Sequence, residues 1–170
     1  VWEAIMEAGR EFSITPYGTE AMHVLRAEKA FVIIGQDTDG TVTPVDLGLD
    51  WLVSTRKDFI GKRSLLRQDT LRENRKQLVG LLNDDSTGLL PSGGQIVEGL
   101  RSSIPTDTIG HVTSSYYSAK LGHHFALALV KGGRAHMGEK VYVPLEGGSR
   151  IRATITSPVF YDPKGNQQNV

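Results

Sequence analysis

The chain has 170 residues and a formal net charge of zero, because 19 lysine and arginine residues balance 19 aspartate and glutamate residues. This balance gives no overall electrostatic case for binding nucleic acid or an anionic membrane. The absence of cysteine excludes disulfides, thiolate metal sites and thiol nucleophiles, and it is compatible with the reducing cytoplasm, where we place the protein. No apolar stretch approaches the roughly 20 residues of a membrane span, so neither nucleic acid nor membrane is expected as a partner.

The first predicted element is a helix over residues 1–9. Trp2, Ile5 and Met6 fall on one side, and Gly9 is a plausible end. The helix begins without an initiator methionine. We therefore expect the chain to be part of a larger polypeptide, and the alternative is a processed or tagged terminus.

A second, amphipathic helix is predicted over residues 17–29. Its two adjacent faces carry Met22, Leu25 and Lys29, and Ala21, Leu25 and Glu28. Residues 31–34 are too short and too rich in β-branched side chains for another helix. They predict a strand that leads into a polar loop over residues 36–40.

Two further elements are predicted before the chain reaches residue 75. Residues 51–53 are apolar and strand-like, and Trp51 is expected in the core. A third helix is predicted over residues 61–74, with leucines facing inward and basic side chains facing solvent. Those basic residues are Lys62, Arg63, Arg67, Arg72 and Arg75. They are interpreted as a solvated helix face, and an anion-binding surface is the alternative.

From residue 77 onward the pattern changes to short β runs separated by glycine, proline, serine and aspartate. Six strands are predicted, over residues 77–82, 95–97, 109–115, 125–130, 140–144 and 151–155. Surface loops are predicted over residues 84–94 and 99–107. The predicted fold class is therefore α+β: a partial mixed α/β domain over residues 1–75, followed by a small antiparallel β-barrel or jelly-roll domain over residues 76–170.

The sequence contains no self-contained catalytic constellation. It has no glycine-rich phosphate loop, no dinucleotide-binding Gly-x-Gly-x-x-Gly and no pair of histidines at metal-binding helical spacing. His123 and His124 are adjacent, and neighbours on a strand point to opposite faces, so they are interpreted as turn or barrel-rim histidines. For the same reason, one of Tyr116 and Tyr117 must face away from the core. We predict no catalytic residue, no metal site, and no flavin or NAD bound by this chain.

The order of motifs between residues 16 and 65 resembles the folate-binding family typified by the glycine-cleavage T-protein (aminomethyltransferase). The family helix Gly-x-x-Ala-x-x-x-Leu-Arg-x-Glu is met by Gly18, Ala21, Leu25, Arg26 and Glu28. The polar loop, Thr-Pro turn, Gly-Leu-x-Trp and Phe-Ile-Gly segments that follow are met by Gly35, Asp37, Thr43-Pro44, residues 48–51 and residues 59–62. The resemblance covers essentially the whole chain, and it implies a C-terminal β-barrel domain, in agreement with the strand pattern.

Within this family, residues 15–29 and 158–163 are most similar to the C-terminal part of the alpha subunits of heterotetrameric sarcosine oxidases. The resemblance implies tetrahydrofolate as the cofactor of this module, with FAD, FMN and NAD bound elsewhere in the complex. It implies the upstream part of the same subunit and the beta, gamma and delta subunits as partners. In that branch sarcosine is demethylated to glycine at a flavin of another subunit, and the one-carbon unit forms 5,10-methylenetetrahydrofolate or is released as formaldehyde. The equivalent module of a dimethylglycine oxidase or dehydrogenase, or of an aminomethyltransferase, is the alternative.

Four residues are predicted to bind the folate: Arg26, Glu28, Tyr17 and Tyr161. An arginine offers planar donors to a carboxylate, and a glutamate accepts paired donors such as those of a pterin ring. An internal salt bridge that fixes the helix end is the alternative for Arg26, and a structural role is the alternative for Glu28. Tyr161 is included because the family's C-terminal segment passes back towards the folate pocket.

Two departures from the family bear on function. Many T-proteins have Ala-Arg-Asp where this chain has Ala21-Met22-His23, so an arginine able to meet the folate tail is absent. The family's catalytic aspartate and its pterin-binding Gly-Tyr-x-Gly-Glu motif would lie upstream of Val1, and neither is in this chain. We therefore expect the isolated chain to be catalytically silent. The alternative to folate binding is a non-catalytic structural or docking barrel.

Overall fold

The computed structural model describes residues 1–84, 88–99 and 107–168. Two α-helices, α1 (Trp2–Ala8) and α2 (Thr19–Glu28), precede the strands. The strands are β1 (Lys76–Asn83), β2 (Gln95–Ile96), β3 (Gly110–Ser118), β4 (His123–Lys131), β5 (Lys140–Pro144) and β6 (Arg150–Thr156). The first two predicted helices and all six predicted strands are confirmed, while most of the predicted 99–107 loop lies outside the described residues. Among the residues described, no helix has the length and apolar content needed to cross a membrane.

The six strands form one antiparallel sheet that closes into a barrel. The strand order is β2-β3-β4-β1-β6-β5. Just after β2, Val97 pairs with Tyr142 on β5, and the two residues exchange backbone hydrogen bonds of 2.9 Å in both directions. This pairing joins the two edge strands of the sheet, which closes the barrel on itself. The predicted α+β fold class with a small antiparallel barrel is confirmed.

Strand β4 separates two apolar cores. Ala126 and Ala128 face the barrel interior, where apolar side chains from β1, β3, β5 and β6 surround them. The alternate residues Phe125 and Leu127 face the other way and share a second core with Ala27 of α2. Because side chains alternate along a strand with a period of two, one strand serves both cores. The second core attaches residues 1–75, which we call the N-terminal lobe, to the barrel.

The predicted strand over residues 31–34 is wrong. Only Ile34 pairs, in a single bridge with Thr38. The carboxylate of Asp37 accepts the backbone N–H of Ile33 at 2.9 Å, and this local hydrogen bond folds the segment into a loop. A buried acid four residues further along the chain thus competes with a strand ladder for the backbone.

The predicted strand over residues 51–53 is wrong as well. A 3-10 turn spans Asp50–Leu52, and its helical backbone replaces the extended one. Trp51 is 75% exposed, so its predicted place in the core is also wrong. Short apolar runs do not by themselves distinguish a buried strand from another local structure.

The predicted third helix over residues 61–74 is wrong too. Only a 3-10 turn forms, over Lys62–Leu66. The Thr70 hydroxyl then donates to the carbonyl of Ser64 at 2.9 Å and to that of Arg67 at 2.8 Å. The helical run ends at Arg67, whose backbone is extended (φ −71°, ψ 146°).

Candidate functional site

Helix α2 brings two of the four predicted site residues, Arg26 and Glu28, to the barrel. Its last two residues, Ala27 and Glu28, are buried, and Val24 packs on the second core. Met22 and Leu25 point away from that core and are 44% and 53% exposed. The helix therefore has a buried face towards the barrel and a second apolar face that is open.

Arg26 is held in an internal ion pair with Asp37. Its Nη1 donates to the Asp37 carboxylate and to the backbone carbonyl of Phe31, the latter at 3.1 Å. Its Nη2 donates to the Ser114 hydroxyl at 2.8 Å and to the Tyr116 hydroxyl at 3.3 Å. The side chain is 10% exposed, and both terminal nitrogens are engaged within the chain. This arrangement corresponds to the alternative role of Arg26, a salt bridge that fixes the end of the helix.

Asp37 is fully buried, and its carboxylate accepts hydrogen bonds from three parts of the chain. Besides Arg26, its carboxylate accepts the backbone N–H of Ile33 at 2.9 Å, the Thr113 hydroxyl at 2.5 Å and the Ser114 hydroxyl at 2.6 Å. Thr113 and Ser114 are neighbours on β3, and both reach one carboxylate because a bulge shifts the pairing of β3 with β4 there. Breaking a buried ion pair by removing one partner costs about 3–5 kcal/mol, so this cluster stabilises the contact of α2 and the loop with the barrel.

Glu28 makes a second set of hydrogen bonds, which includes two with the C-terminal segment. Its carboxylate is buried and accepts the Ser118 hydroxyl at 2.5 Å. Its backbone carbonyl accepts the N–H groups of Phe160 at 2.9 Å and Tyr161 at 3.1 Å. The C-terminal segment therefore returns to the end of α2, and Glu28 holds it there.

An ion pair between Lys29 and Asp162 strengthens that return. The Lys29 ammonium donates to the Asp162 backbone carbonyl at 2.6 Å and lies 3.4 Å from the carboxylate. Burial raises the pKa of Asp162, but the backbone N–H groups of Gln167 and Asn166 and the charge of Lys29 outweigh it and leave the pKa below its usual value. The carboxylate therefore stays charged.

The open face of α2 borders an apolar groove, which we call the α2 groove. It encloses about 280 Å³ and is lined by Tyr17, Met22, Leu25, Arg26 and Phe31. Tyr17 and Phe31 are 68% and 61% exposed. Of the four predicted folate-binding residues, Tyr17 and Arg26 thus line one groove, whereas Glu28 and Tyr161 are not among its lining residues.

A second buried ion pair, between Arg75 and Asp46, ties the Thr-Pro turn to the start of β1. Arg75 Nε donates to Asp46 Oδ1 at 2.9 Å and Nη2 to Oδ2 at 2.6 Å, while Thr43 adds its N–H and its hydroxyl, both at 2.8 Å. Burial raises the pKa of Asp46, but these hydrogen bonds outweigh it, so the pKa lies below its usual 3.8. The same pairing raises the pKa of Arg75. The predicted solvated position is wrong for Arg75, whose side chain is 16% exposed.

A small polar cavity of about 160 Å³ lies beside this pair. Its lining includes Asp39, Lys76 and His111 together with the Arg75–Asp46 pair. Burial and the Lys76 ammonium, 3.4 Å from His111 Nδ1, lower the pKa of His111. Because two carboxylates and two cations line the cavity, it favours neither an anionic nor a cationic ligand.

The adjacent tyrosines point to opposite sides of β3. Tyr116 faces Arg26, and its ring centroid lies 6.3 Å from that of Phe125. Tyr117 is 51% exposed, and its ring lies 5.1 Å from that of His124. Over the part of the chain that the structure describes, no group of three or more His, Cys, Asp or Glu side chains is placed to hold a metal.

Sequence reasoning singles out Arg26 but not the partners that engage it. An acid 11 residues after a helix arginine, as Asp37 is, gives only a weak signal. The bulge that turns Thr113 and Ser114 towards the same carboxylate is not visible in the residue pattern. The partners therefore become visible only when the strands are paired.

The chain matches two family descriptions. Residues 76–162 match the glycine cleavage T-protein C-terminal barrel domain. Residues 1–57 match the GCVT N-terminal domain. The first match takes in the whole barrel and the C-terminal segment as far as Asp162, and the second takes in α1, α2 and the loop that carries Asp37.

Relatives fall into two groups. The chain is 50% identical to sarcosine oxidase subunit alpha of Corynebacterium sp. (strain P-1), over 99% of this chain and 18% of that protein. It is 41% identical to sarcosine oxidase subunit alpha of Rhizobium meliloti (strain 1021), over 99% of this chain and 17% of that protein. It is 32% identical to the aminomethyltransferase of Thermotoga sp. (strain RQ2), over 95% of this chain and 42% of that protein. The chain thus spans less than half the length of each of these relatives.

The fold is shared with a solved structure. The glycine cleavage system aminomethyltransferase T from Bartonella henselae superposes with a TM-score of 0.68 and 23% identity, over 82% of this chain and 38% of that one. This likeness shows the fold, and the barrel-domain match over residues 76–162 shows the family. The chain belongs to the glycine cleavage T-protein family, and its similarity to sarcosine oxidase alpha subunits extends along nearly its whole length.

Proposed function

We propose that this chain is the C-terminal part of the tetrahydrofolate-binding module of a cytoplasmic sarcosine oxidase alpha subunit. The observation that carries the proposal is the 50% identity to a sarcosine oxidase subunit alpha over 99% of this chain. Identity to the aminomethyltransferases is lower, at 32% for the Thermotoga protein. This difference favours oxidation of sarcosine over aminomethyl transfer as the reaction of the complete protein.

The α2 groove suits one wall of a folate pocket. Tetrahydrofolate combines aromatic ring systems with a carboxylate tail, and when bound it accepts the one-carbon unit of the reaction. The groove offers exposed aromatic surface from Tyr17 and Phe31. We assign Tyr17 and Arg26 to this wall. Glu28 and Tyr161 support this wall, because the Glu28 carbonyl accepts the Tyr161 N–H and holds the C-terminal segment against the end of α2.

The remaining parts of the enzyme lie outside this chain in this proposal. Residues 1–75 belong to the folate-binding α/β domain and residues 76–170 form its barrel domain. The upstream part of the same subunit completes the pocket, the beta, gamma and delta subunits are the partners, and FAD, FMN and NAD are bound elsewhere in the complex. The role of this chain is to bind and orient folate, which lowers the entropic cost of bringing the reactants together.

Titration of the complete protein with tetrahydrofolate tests this proposal. We expect saturable binding, and we expect sarcosine oxidation to yield 5,10-methylenetetrahydrofolate when folate is present and formaldehyde when it is absent. Absence of saturable binding would contradict folate use. Turnover of dimethylglycine in place of sarcosine would contradict the assigned substrate.

A variant of the groove tests the placement of the wall. Tyr17→Ala removes an exposed ring, so we expect about 3- to 10-fold weaker folate binding by the complete protein, with unchanged stability. The matched control is Ile60→Ala, which removes a fully exposed apolar side chain that does not line the groove. It should bind folate as the wild type does. Equal binding by Tyr17→Ala and the control would remove the groove from the site.

A second function has one observation in its favour. Arg26 and Glu28, the two predicted ligands with charged side chains, are both engaged inside the chain. This favours a structural module that docks against other domains without touching folate. The same titration separates the two functions, because the docking module predicts no saturable folate binding.

A further inference from the structure

We infer that residues 56–76, which we call the basic strip, form a docking surface for an acidic face of another subunit of the complex. The inference rests on the proposed function, because it requires an assembly of several subunits, and it adds where this chain meets one of them. The basic strip contains eight lysine and arginine residues and three aspartate and glutamate residues, a net charge of +5, whereas the whole chain is neutral. A neutral chain thus carries a strongly basic segment, which ends at the first residue of β1.

Half of the cations in the basic strip are not engaged within the chain. Lys62, Arg72 and Arg75 are paired with aspartates of this chain. Among the described residues, four exposed cations form no hydrogen bond or ion pair through their side chains: Arg56, Lys57, Arg63 and Arg67. Three of these four are arginines, and an arginine presents a rigid fork of donors that matches a carboxylate. The strip therefore offers unused donors to carboxylates outside the chain.

Side-chain hydrogen bonds fold the backbone of the basic strip into defined loops. The Lys62 ammonium donates to the backbone carbonyls of Thr55 at 3.2 Å and Lys57 at 2.8 Å. The Thr70 hydroxyl donates in the same way to the carbonyl of Arg67 at 2.8 Å. The unpaired cations therefore lie on a backbone that is already folded before a partner binds, which lowers the entropic cost of association.

Exposed apolar side chains alternate with the cations along the basic strip. Ile60, Leu66 and Leu71 are 104%, 69% and 62% exposed. An open recess of about 530 Å³ is lined by residues 67–69 and Arg72. Protein interfaces combine apolar contacts with a polar rim, and arginine is enriched in them. This mixture of apolar side chains and arginines suits a protein surface that carries carboxylates.

A separate subunit fits this surface better than the upstream part of the same subunit does. Unpaired surface charges mainly accelerate the encounter of partners that diffuse freely. The upstream part is joined through the polypeptide and does not have to find this surface by diffusion. The three acidic residues of the strip also weaken its attraction for a continuous anionic surface such as a membrane or nucleic acid. We therefore assign the strip to a subunit that presents aspartate and glutamate side chains.

Carbodiimide cross-linking of the complete complex tests the inference, because this reagent joins an ammonium to a carboxylate only where the two groups are in direct contact. We expect cross-linked peptides in which Lys57 is joined to an aspartate or glutamate of another subunit. We expect none from Lys164, an exposed lysine outside the basic strip. Cross-links of Lys57 solely to the same subunit or to a second copy of this chain, or no cross-link at all, would overturn the inference.

Charge reversal at the same two lysines supplies a matched pair of variants. Lys57→Glu should weaken association of the subunits at least about fivefold, because like charges then face each other across the interface. Sedimentation velocity over a dilution series measures this change, and raising the salt concentration from about 0.05 to 0.5 M should reduce it. Lys164→Glu makes the same change outside the basic strip and should associate as the wild type does.

Two results with these variants would overturn the inference and leave the proposed function standing. One is equal association by Lys57→Glu and Lys164→Glu. The other is binding of phosphatidylserine vesicles or duplex DNA by the wild type and by Lys164→Glu but not by Lys57→Glu, which would assign the basic strip to a membrane or to nucleic acid. If the complete protein forms no complex with other subunits, the proposed function fails as well.

Discussion

The barrel and the N-terminal lobe are organised by different forces. Barrel residues such as Leu81 and Ile155 are at most 1% exposed and bury apolar area, which is the dominant favourable term in folding. In the lobe, Trp51 is 75% exposed, while the charged residues Asp37 and Asp46 are buried. The lobe is thus held to the barrel partly by hydrogen bonds between barrel hydroxyls and a charge pair buried within the lobe, and much of its apolar surface stays open. A region with that distribution is suited to contact something outside itself.

The largest effect in the lobe should come from breaking the buried Arg26–Asp37 pair, to which the barrel residues Thr113 and Ser114 donate hydrogen bonds. Asp37→Asn leaves the Arg26 guanidinium buried without its counterion, so we expect a loss of about 3–5 kcal/mol in the free energy of unfolding, measured by urea denaturation. Asp39→Asn is the matched control, because it makes the same chemical change at an exposed position of the same loop. Its cost should stay below about 1 kcal/mol. Equal costs for the two variants would show that the lobe does not depend on the buried pair.

A smaller, pH-dependent effect is expected at the second charge pair. Asp46→Asn weakens charge-assisted hydrogen bonds to Arg75, which should cost about 1.5–3 kcal/mol at neutral pH. The pKa of Asp46 is lower in the folded state than its usual 3.8, so its contribution is present above the unfolded pKa and is lost as the pH falls through the folded pKa. The gap in unfolding free energy between wild type and variant should therefore narrow in acid. A gap that stays constant from neutral pH to below the folded pKa would argue against a charged Asp46.

The smallest effect is expected at the exposed aromatic surface of the lobe. Trp51→Ser should change the free energy of unfolding by no more than about 0.5 kcal/mol, because the side chain is 75% exposed. Phe125→Ala, on β4, removes a ring that is 1% exposed and should cost about 3–5 kcal/mol. Thermal unfolding of both variants provides the measurement. A large loss from Trp51→Ser would place this side chain in a core after all and weaken the contrast between the two regions.

Prediction from the sequence succeeded for the strands of the barrel and failed for three elements of the N-terminal lobe. The strands could be predicted because each is a short β run bounded by turn residues such as glycine, proline, serine and aspartate. The third helix failed because the backbone becomes extended at Arg67, directly after the 3-10 turn over Lys62–Leu66. The strand at residues 31–34 failed because Asp37 captures the N–H of Ile33. At residues 31–34, a specific polar side chain thus overrode the apolar pattern.

The candidate site was predictable to a lesser degree. Residue chemistry together with the family resemblance marked Arg26, Glu28, Tyr17 and Tyr161 as candidates, but it left the role of each charged residue open between ligand contact and internal pairing. Position in the fold separates them, because Tyr17 and Arg26 line the α2 groove and the other two residues meet at the end of α2. Their part in folate binding stays a prediction until the titrations are done.

The amino-acid sequence alone was sufficient to identify the family, the first two helices and a barrel of six strands, because these depend on short motifs and on the periodicity of apolar residues. The tertiary structure decided which charges are buried and which apolar residues are open. Arg26 meets Ser114 and Tyr116 across separations of 88 and 90 residues, and Thr113 reaches Asp37 through a bulge in β3. Contacts of that range depend on strand pairing and on backbone geometry, which no local pattern encodes.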